Sequence, residues 1–119
     1  MRLRPEQHLR RQSDIRAVRE QGSRLDCRSF TLWWRSRTPP EGSGAAPRVA
    51  VVASIAAVGQ AVARNRAKRR LREIFRAHQR LLPAGCDLLL VARAAVNRRS
   101  FADLESNFIE ACGRLASFV

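Results

Sequence analysis

This sequence predicts an α/β fold with a small mixed β-sheet, and three features predict it. Two short apolar runs, Arg48–Ile55 and Cys86–Arg93, flank a long segment with helical periodicity, Val58–Arg76. A third run, Arg28–Arg35, is aromatic and β-branched and precedes both. Strand, helix, strand makes a βαβ unit, so the second and last strands are expected to lie parallel. Helices are expected at both ends of the chain.

Taken in order, Met1–Gln12 is an irregular basic arm carrying Arg2, Arg4, Arg10 and Arg11 around Pro5. Ser13 has the right chemistry to cap a short helix over Asp14–Gln21, and Gly22 ends it. Ile15 and Val18 share one face of that helix. In the first strand, Arg28–Arg35, alternation sends Phe30, Leu32 and Trp34 to one face and Thr31 and Trp33 to the other. Ser36–Pro47 holds Pro39, Pro40, Gly42, Ser43, Gly44 and Pro47, and is expected to be a flexible loop.

The second strand, Arg48–Ile55, has small and β-branched residues on both faces, which predicts a central position. The long helix follows and ends before Pro83 and Gly85. Cys86–Arg93 is a continuous apolar run, hence a buried strand. Ala94–Arg99 is a linker. Ser100 then caps a last helix with Asp103 at the capping-box position, and Phe101, Leu104, Phe108, Ala111, Cys112 and Leu115 form its apolar stripe. A length of 119 residues leaves room for one domain, 1–119, and no second core.

The long helix carries the functional signal. On a helical wheel Ala63, Ala67, Leu71, Ile74, Phe75, His78, Leu81 and Leu82 gather into an arc about 120° wide. Asn65, Arg66, Lys68, Arg69, Arg70, Arg72, Arg76 and Arg80 take the rest of the circumference. Eight basic residues fall between Arg64 and Arg80, and only Glu73 opposes them, so i,i+4 pairing cannot neutralise the face. Many of these cations sit toward the helix N-terminus, where the backbone dipole is already positive. Such a sequence anticipates an external anion.

The whole chain agrees. It has 23 basic against 10 acidic residues, a formal charge of +13, and self-repulsion at that charge is relieved by a polyanion. Lys68 is its only lysine; arginine forks onto phosphate and stacks on bases, which suits RNA, although a biased genome would enrich arginine too. No run approaches the about 18–20 apolar residues of a membrane span. The three cysteines, Cys27, Cys86 and Cys112, are odd in number without C-x-x-C spacing, and no apolar signal-peptide region opens the chain. A cytoplasmic, metal-free protein is expected.

Catalytic machinery is not apparent. Phosphodiester hydrolysis uses clustered carboxylates holding metal ions or a histidine pair, but His8 and His78 are far apart and Asp14, Asp26, Asp87 and Asp103 lie on separate elements. His78 falls in the apolar arc and is expected to pack or hydrogen bond there. Asp87 lies on one face of a strand, within reach of a site. There is no Walker loop, nucleophile elbow or zinc spacing.

The run Gly59-Gln60-Ala61-Val62-Ala63-Arg64-Asn65-Arg66-Ala67-Lys68-Arg69-Arg70-Leu71-Arg72-Glu73 resembles the signature of the bacterial ribonuclease P protein subunit. Weaker similarity covers nearly the whole chain, including the arm, the Val91-Ala92-Arg93 strand end and Ser100-Phe101-x-x-Leu104. The resemblance implies a left-handed βαβ crossover, against the general right-handed rule. It implies an RNA subunit that cleaves precursor tRNA with Mg2+ and releases the 5′ leader, while the protein, itself not catalytic, holds both RNAs. It implies that Arg64, Asn65, Arg66, Lys68, Arg69, Arg70 and Arg72 lie against the catalytic RNA. Asn65 has an alternative role, capping or orienting the first helical turn.

The family also has a cleft between the first helix and the sheet that holds the single-stranded leader. Trp33, Ile15 and Arg19 are assigned to it by resemblance, with ordinary packing the alternative for Trp33. Ile15 and Arg19 stand where the family commonly has aromatics, and Ala56 and Ala57 where it has two lysines; Arg16, Arg19 and Arg24 offer electrostatic compensation. A ribosomal or other basic RNA-binding protein without a nuclease role explains the charge equally well. It does not explain the Arg-Asn-Arg run at a strand-to-helix junction.

Overall fold

The computed structural model describes residues 7–37 and 46–116. The first six residues of the expected arm and most of the expected loop, 38–45, lie outside them. Among the described residues, four strands and four α-helices run in the order α1 (Gln12–Gln21), β1 (Ser23–Asp26), β2 (Phe30–Ser36), β3 (Arg48–Val52), α2 (Ile55–Val58), α3 (Ala61–His78), β4 (Cys86–Ala92), α4 (Phe101–Ala116). The strands lie side by side as β1-β2-β4-β3. β2 is antiparallel to β1 and to β4, whereas β3 is parallel to β4 across the α3 crossover. The mixed α/β architecture is therefore the one the sequence predicts.

Both faces of the sheet are covered, and the alternation in β2 explains how. Phe30, Leu32 and Trp34 join Leu88 and Leu90 of β4 in the main core, beneath Leu71, Ile74 and Phe75 of α3 and Leu104 and Phe108 of α4. On the opposite face a smaller cluster forms from Leu9, Val18 and Leu89, with Ile15, Trp33, Ala50 and Val91 packed against it. Each buried aliphatic or aromatic side chain contributes about 1.5–3 kcal/mol, so the main core dominates stability.

Several local expectations are corrected. α1 starts before Ser13: Arg11 is the N-cap without a side-chain bond, because the preceding arm is already tied down by Leu9 N–H donating to Val49 O at 2.9 Å. β1 has no counterpart in the sequence reading, and β2 begins at Phe30 rather than Arg28. Residues 27–29 form the turn between them, with Arg28 at φ 67° and its N–H donating to Asp26 Oδ1 at 3.0 Å. β3 is an edge strand rather than a central one, its outer edge covered by a parallel bridge between His8 and Val49. It also ends at Val52; Ile55 belongs to the single turn α2, where Ser54 Oγ accepts from Ala57 N–H at 3.1 Å.

At the far end of α3 the chain tightens into a 3₁₀ turn over Gln79–Leu81. The change of period swings Leu81 out of the expected arc, leaving it 45% exposed, while Leu82 stays buried. His78 hydrogen bonds Glu105 of α4 at 2.8 Å, as its place in the arc suggested. The linker also contains a 3₁₀ turn, Ala94–Asn97, pinned by buried Val96. Ser100 caps α4 as expected, its Oγ accepting from Asp103 N–H at 3.1 Å.

Two buried features concern chemistry. Cys27, Cys86 and Cys112 are free and buried, and burial pushes each thiol up to about 12, so none is a nucleophile at neutral pH. Asp87 is fully buried at the start of β4. Arg48 of β3 holds both its oxygens, Nε on Oδ1 at 2.8 Å and Nη2 on Oδ2 at 2.7 Å. Arg37 approaches Oδ1 at 3.2 Å from the other side. Asp87 therefore ties the strand ends together rather than serving a reactive site.

Candidate nucleic-acid interface

α3 buries Ala67, Leu71, Ile74 and Phe75 against the sheet, which orients everything else on the helix. Asn65, Arg66, Arg69 and Arg72 are exposed; Arg64, Lys68 and Arg70 are half-buried. Val62 is 85% exposed, and with Asn65, Arg66 and Arg69 it lines a shallow depression of about 390 Å³. Gln60 occupies the N-cap position, so Asn65 does not cap this helix and leaves its amide to the surface. Among the described residues, no carboxylate makes an ion pair with any cation of α3 except the His78–Glu105 contact at its last turn. Arg70 differs from its neighbours: its Nη2 donates to Arg99 O at 2.6 Å, and burial, then Arg66, lowers its pKa.

A second concavity of about 570 Å³ lies where the arm, α1 and β3 meet. Leu9, Ile15 and Ala50 give it an apolar floor, and Arg10 and Arg72 stand at its wall with His8. Burial, and then the charges of Arg10 and Arg72, lower the His8 pKa, so the groove is cationic even with a neutral imidazole. Arg72 belongs to both surfaces and joins the helix face to the groove.

The three residues assigned to a leader cleft lie on one face of the sheet, where Ile15 and Trp33 pack against the same small cluster and Arg19 stands over the Trp33 ring. Ile15 lines the groove. Trp33 shares the same face of the sheet but is half-buried against the small cluster, and its ring carries Arg19 at 5.6 Å and Arg24 at 5.8 Å. His8, Arg10 and Val52 enter the groove without having been singled out; only the charge of Arg10 was a signal in the sequence. The carboxylates do not converge: among the described residues, no group of three or more His, Cys, Asp or Glu side chains is placed to hold a metal ion. No described helix is long and apolar enough to cross a membrane.

The family model for Ribonuclease P matches residues 3–116. The chain belongs to the ribonuclease P protein family. The ribonuclease P protein component of Acidothermus cellulolyticus is 36% identical over 107 residues, covering 90% of this chain and 86% of that protein. The component of Shouchella clausii is 31% identical over 106 residues, covering 88% and 82%. The family fold is present as well. The RNase P protein of Thermotoga maritima, solved with a fluorophenyl thiourea, superposes with a TM-score of 0.74 at 24% identity, covering 89% of this chain and 97% of that one. That of Staphylococcus aureus gives 0.73 at 20% identity, covering 92% and 94%.

Proposed function

We propose that this chain is the protein cofactor of ribonuclease P in the bacterial cytoplasm, binding the catalytic RNA and the 5′ leader of precursor tRNA. The observation that carries the reading is the exposed face of α3, whose arginines make no ion pair with a carboxylate among the described residues. Their guanidinium groups fork onto phosphates, while the Asn65 amide both donates to and accepts from a base edge or 2′-hydroxyl. Lys68 and Arg70, half-buried, contribute charge from the flanks of the same face. The groove suits a single strand: Ile15 and Ala50 offer apolar contact to bases, and Arg10 and Arg72 supply cations for the backbone.

Cleavage itself belongs to the RNA subunit, which supplies the Mg2+-dependent hydrolysis that leaves a mature tRNA 5′ end. Among the described residues no group of carboxylates is placed to hold that metal, and Asp87 is engaged by Arg48 and Asp26 by Arg93 at 2.9 Å. The deciding experiment is reconstitution. Protein freed of all RNA is expected to leave precursor tRNA intact, and protein with its cognate RNA subunit to cut it once, at the leader junction. Cleavage that co-purifies with RNA-free protein would overturn the cofactor reading.

Trp33 offers a second check. Its indole packs on the Val18–Leu89 cluster and also lies toward α1, so Trp33→Ala is expected to cost about 2 kcal/mol of stability, less than a full core truncation. If the leader extends to this flank, the loss of one stacking platform, about 1–3 kcal/mol, weakens precursor binding roughly tenfold and leaves mature tRNA binding unchanged. Affinities of the reconstituted enzyme for both RNAs, measured below the melting transition, separate the two effects. Equal losses for both RNAs assign Trp33 to packing alone.

A further inference from the structure

The loop between β4 and α4 runs beside α3 and is fastened to it at two heights. Asn97 Nδ2 donates to Ala63 O at 2.9 Å, and Arg70 Nη2 donates to Arg99 O at 2.6 Å. Ala63 and Arg70 are about two turns apart on the helix, and the long Arg70 side chain reaches the loop across that interval. The loop is also rigid internally: Val96 is fully buried, and the N–H groups of Arg98 and Arg99 both donate to Ala95 O, at 3.1 and 3.0 Å.

This arrangement crowds like charges. Arg98 and Arg99 are exposed on the loop, as are Arg66 and Arg69 on α3. Arg98 and Arg99 also stand just before the positive end of α4, which has only Asp103 in its first turn. Among the described residues, no carboxylate makes an ion pair with Arg66, Arg69, Arg98 or Arg99. The fastened loop thus brings exposed cations of two elements alongside each other, and among the described residues none of the four is in ion-pair contact with a carboxylate. Exposed guanidinium groups that make no ion pair with a carboxylate are complementary to phosphates.

We propose that Arg98 and Arg99 form, with Arg66 and Arg69, a two-element seat for backbone phosphates of the folded RNA subunit. The proposal rests on the reading of α3 as an RNA contact and extends it to a loop outside the basic-helix motif. α3 alone presents its cations along one rod. The fastened loop adds a flanking row, which fits a folded RNA surface better than a single extended strand.

The test is a salt series of binding to the cognate RNA subunit, refolded in magnesium. Wild type is compared with Arg98→Gln/Arg99→Gln, Arg98→Lys/Arg99→Lys and Arg64→Gln/Arg66→Gln. Both loop side chains are exposed, so melting curves of the loop variants are expected to match wild type. The glutamine loop pair is expected to flatten the log–log salt slope by about 1.4–1.8, or roughly 0.7–0.9 per contact, with affinity lowered several-fold. The lysine pair is expected to keep the slope. Unchanged slope and affinity in the glutamine loop pair, with Arg64→Gln/Arg66→Gln weakened, overturns the seat and leaves the α3 reading standing. No loss in either glutamine pair overturns both. Lost affinity at an unchanged slope also overturns the seat, because phosphate contacts must release counterions.

Discussion

Asp87→Ala is expected to destabilise the protein by about 3 kcal/mol, the largest stability loss anticipated for a single polar side chain here. The carboxylate is fully buried and holds Arg48 in a bidentate pair with Arg37 alongside. Removing it leaves three arginines, Arg35, Arg37 and Arg48, clustered with Asp14 near Arg48, and loss of one partner of a buried pair costs about 3–5 kcal/mol. The Arg48 and Arg37 side chains are 23% and 11% exposed, so each regains some hydration and the lower end applies. Arg37 further keeps its bonds to the carbonyls of Gly85 and Ala46. Asp87→Asn retains the volume and one acceptor and is expected to lose less. Urea unfolding checks this: the midpoint should fall with an unchanged slope in denaturant. A change within about 0.5 kcal/mol would show that the cluster behaves like a surface ion pair.

That cluster also shows where sequence reading stops. Asp87 stood in an apolar run with no nearby cation, and its partners come from Arg37 and from Arg48 on another strand. By contrast, the two faces of β2 were legible, because period-2 alternation of Phe30, Leu32 and Trp34 against Thr31 and Trp33 meets two different packing layers. β1 was not, since Ser23–Asp26 has a single inward apolar residue, Leu25, and depends on β2 for its pairing. β3 looked central because both its faces are packed. Its actual edge is closed by the arm at His8, a backbone contact that leaves no trace in composition.

The candidate site divides in the same way. The cationic face of α3 follows directly from helical periodicity: once the apolar stripe packs on the sheet, the remaining side chains must face outward. The groove draws Arg10 from the arm, Ile15 from α1, Val52 from β3 and Arg72 from α3, and no spacing rule joins residues so far apart. The loop beside α3 was equally hidden. Its fasteners, Asn97 to Ala63 O and Arg70 to Arg99 O, end on backbone carbonyls, which carry no residue signature.

Arg64→Gln/Arg66→Gln is expected to produce the largest functional loss, about 10- to 100-fold in affinity for the RNA subunit at low salt. Net contributions of hydrogen bonds to charged groups run at about 1.5–3 kcal/mol, and 1.4 kcal/mol is tenfold in affinity. The lower bound allows for solvent competition at exposed Arg66. The log–log salt slope should flatten by about 1.4–1.8 as two phosphate contacts disappear. Stability should hardly move. Arg66 is exposed, and the Nε of Arg64 is buried without a hydrogen-bond partner among the described residues, so glutamine removes no hydrogen bond made by that nitrogen. Glutamine also preserves helix propensity and all but one methylene of the aliphatic stem. The measurement is a filter-binding salt series beside a thermal melt. Salt-independent binding, or a collapse of the melt with RNA affinity intact, would make α3 a structural helix and leave its uncompensated arginines without a purpose.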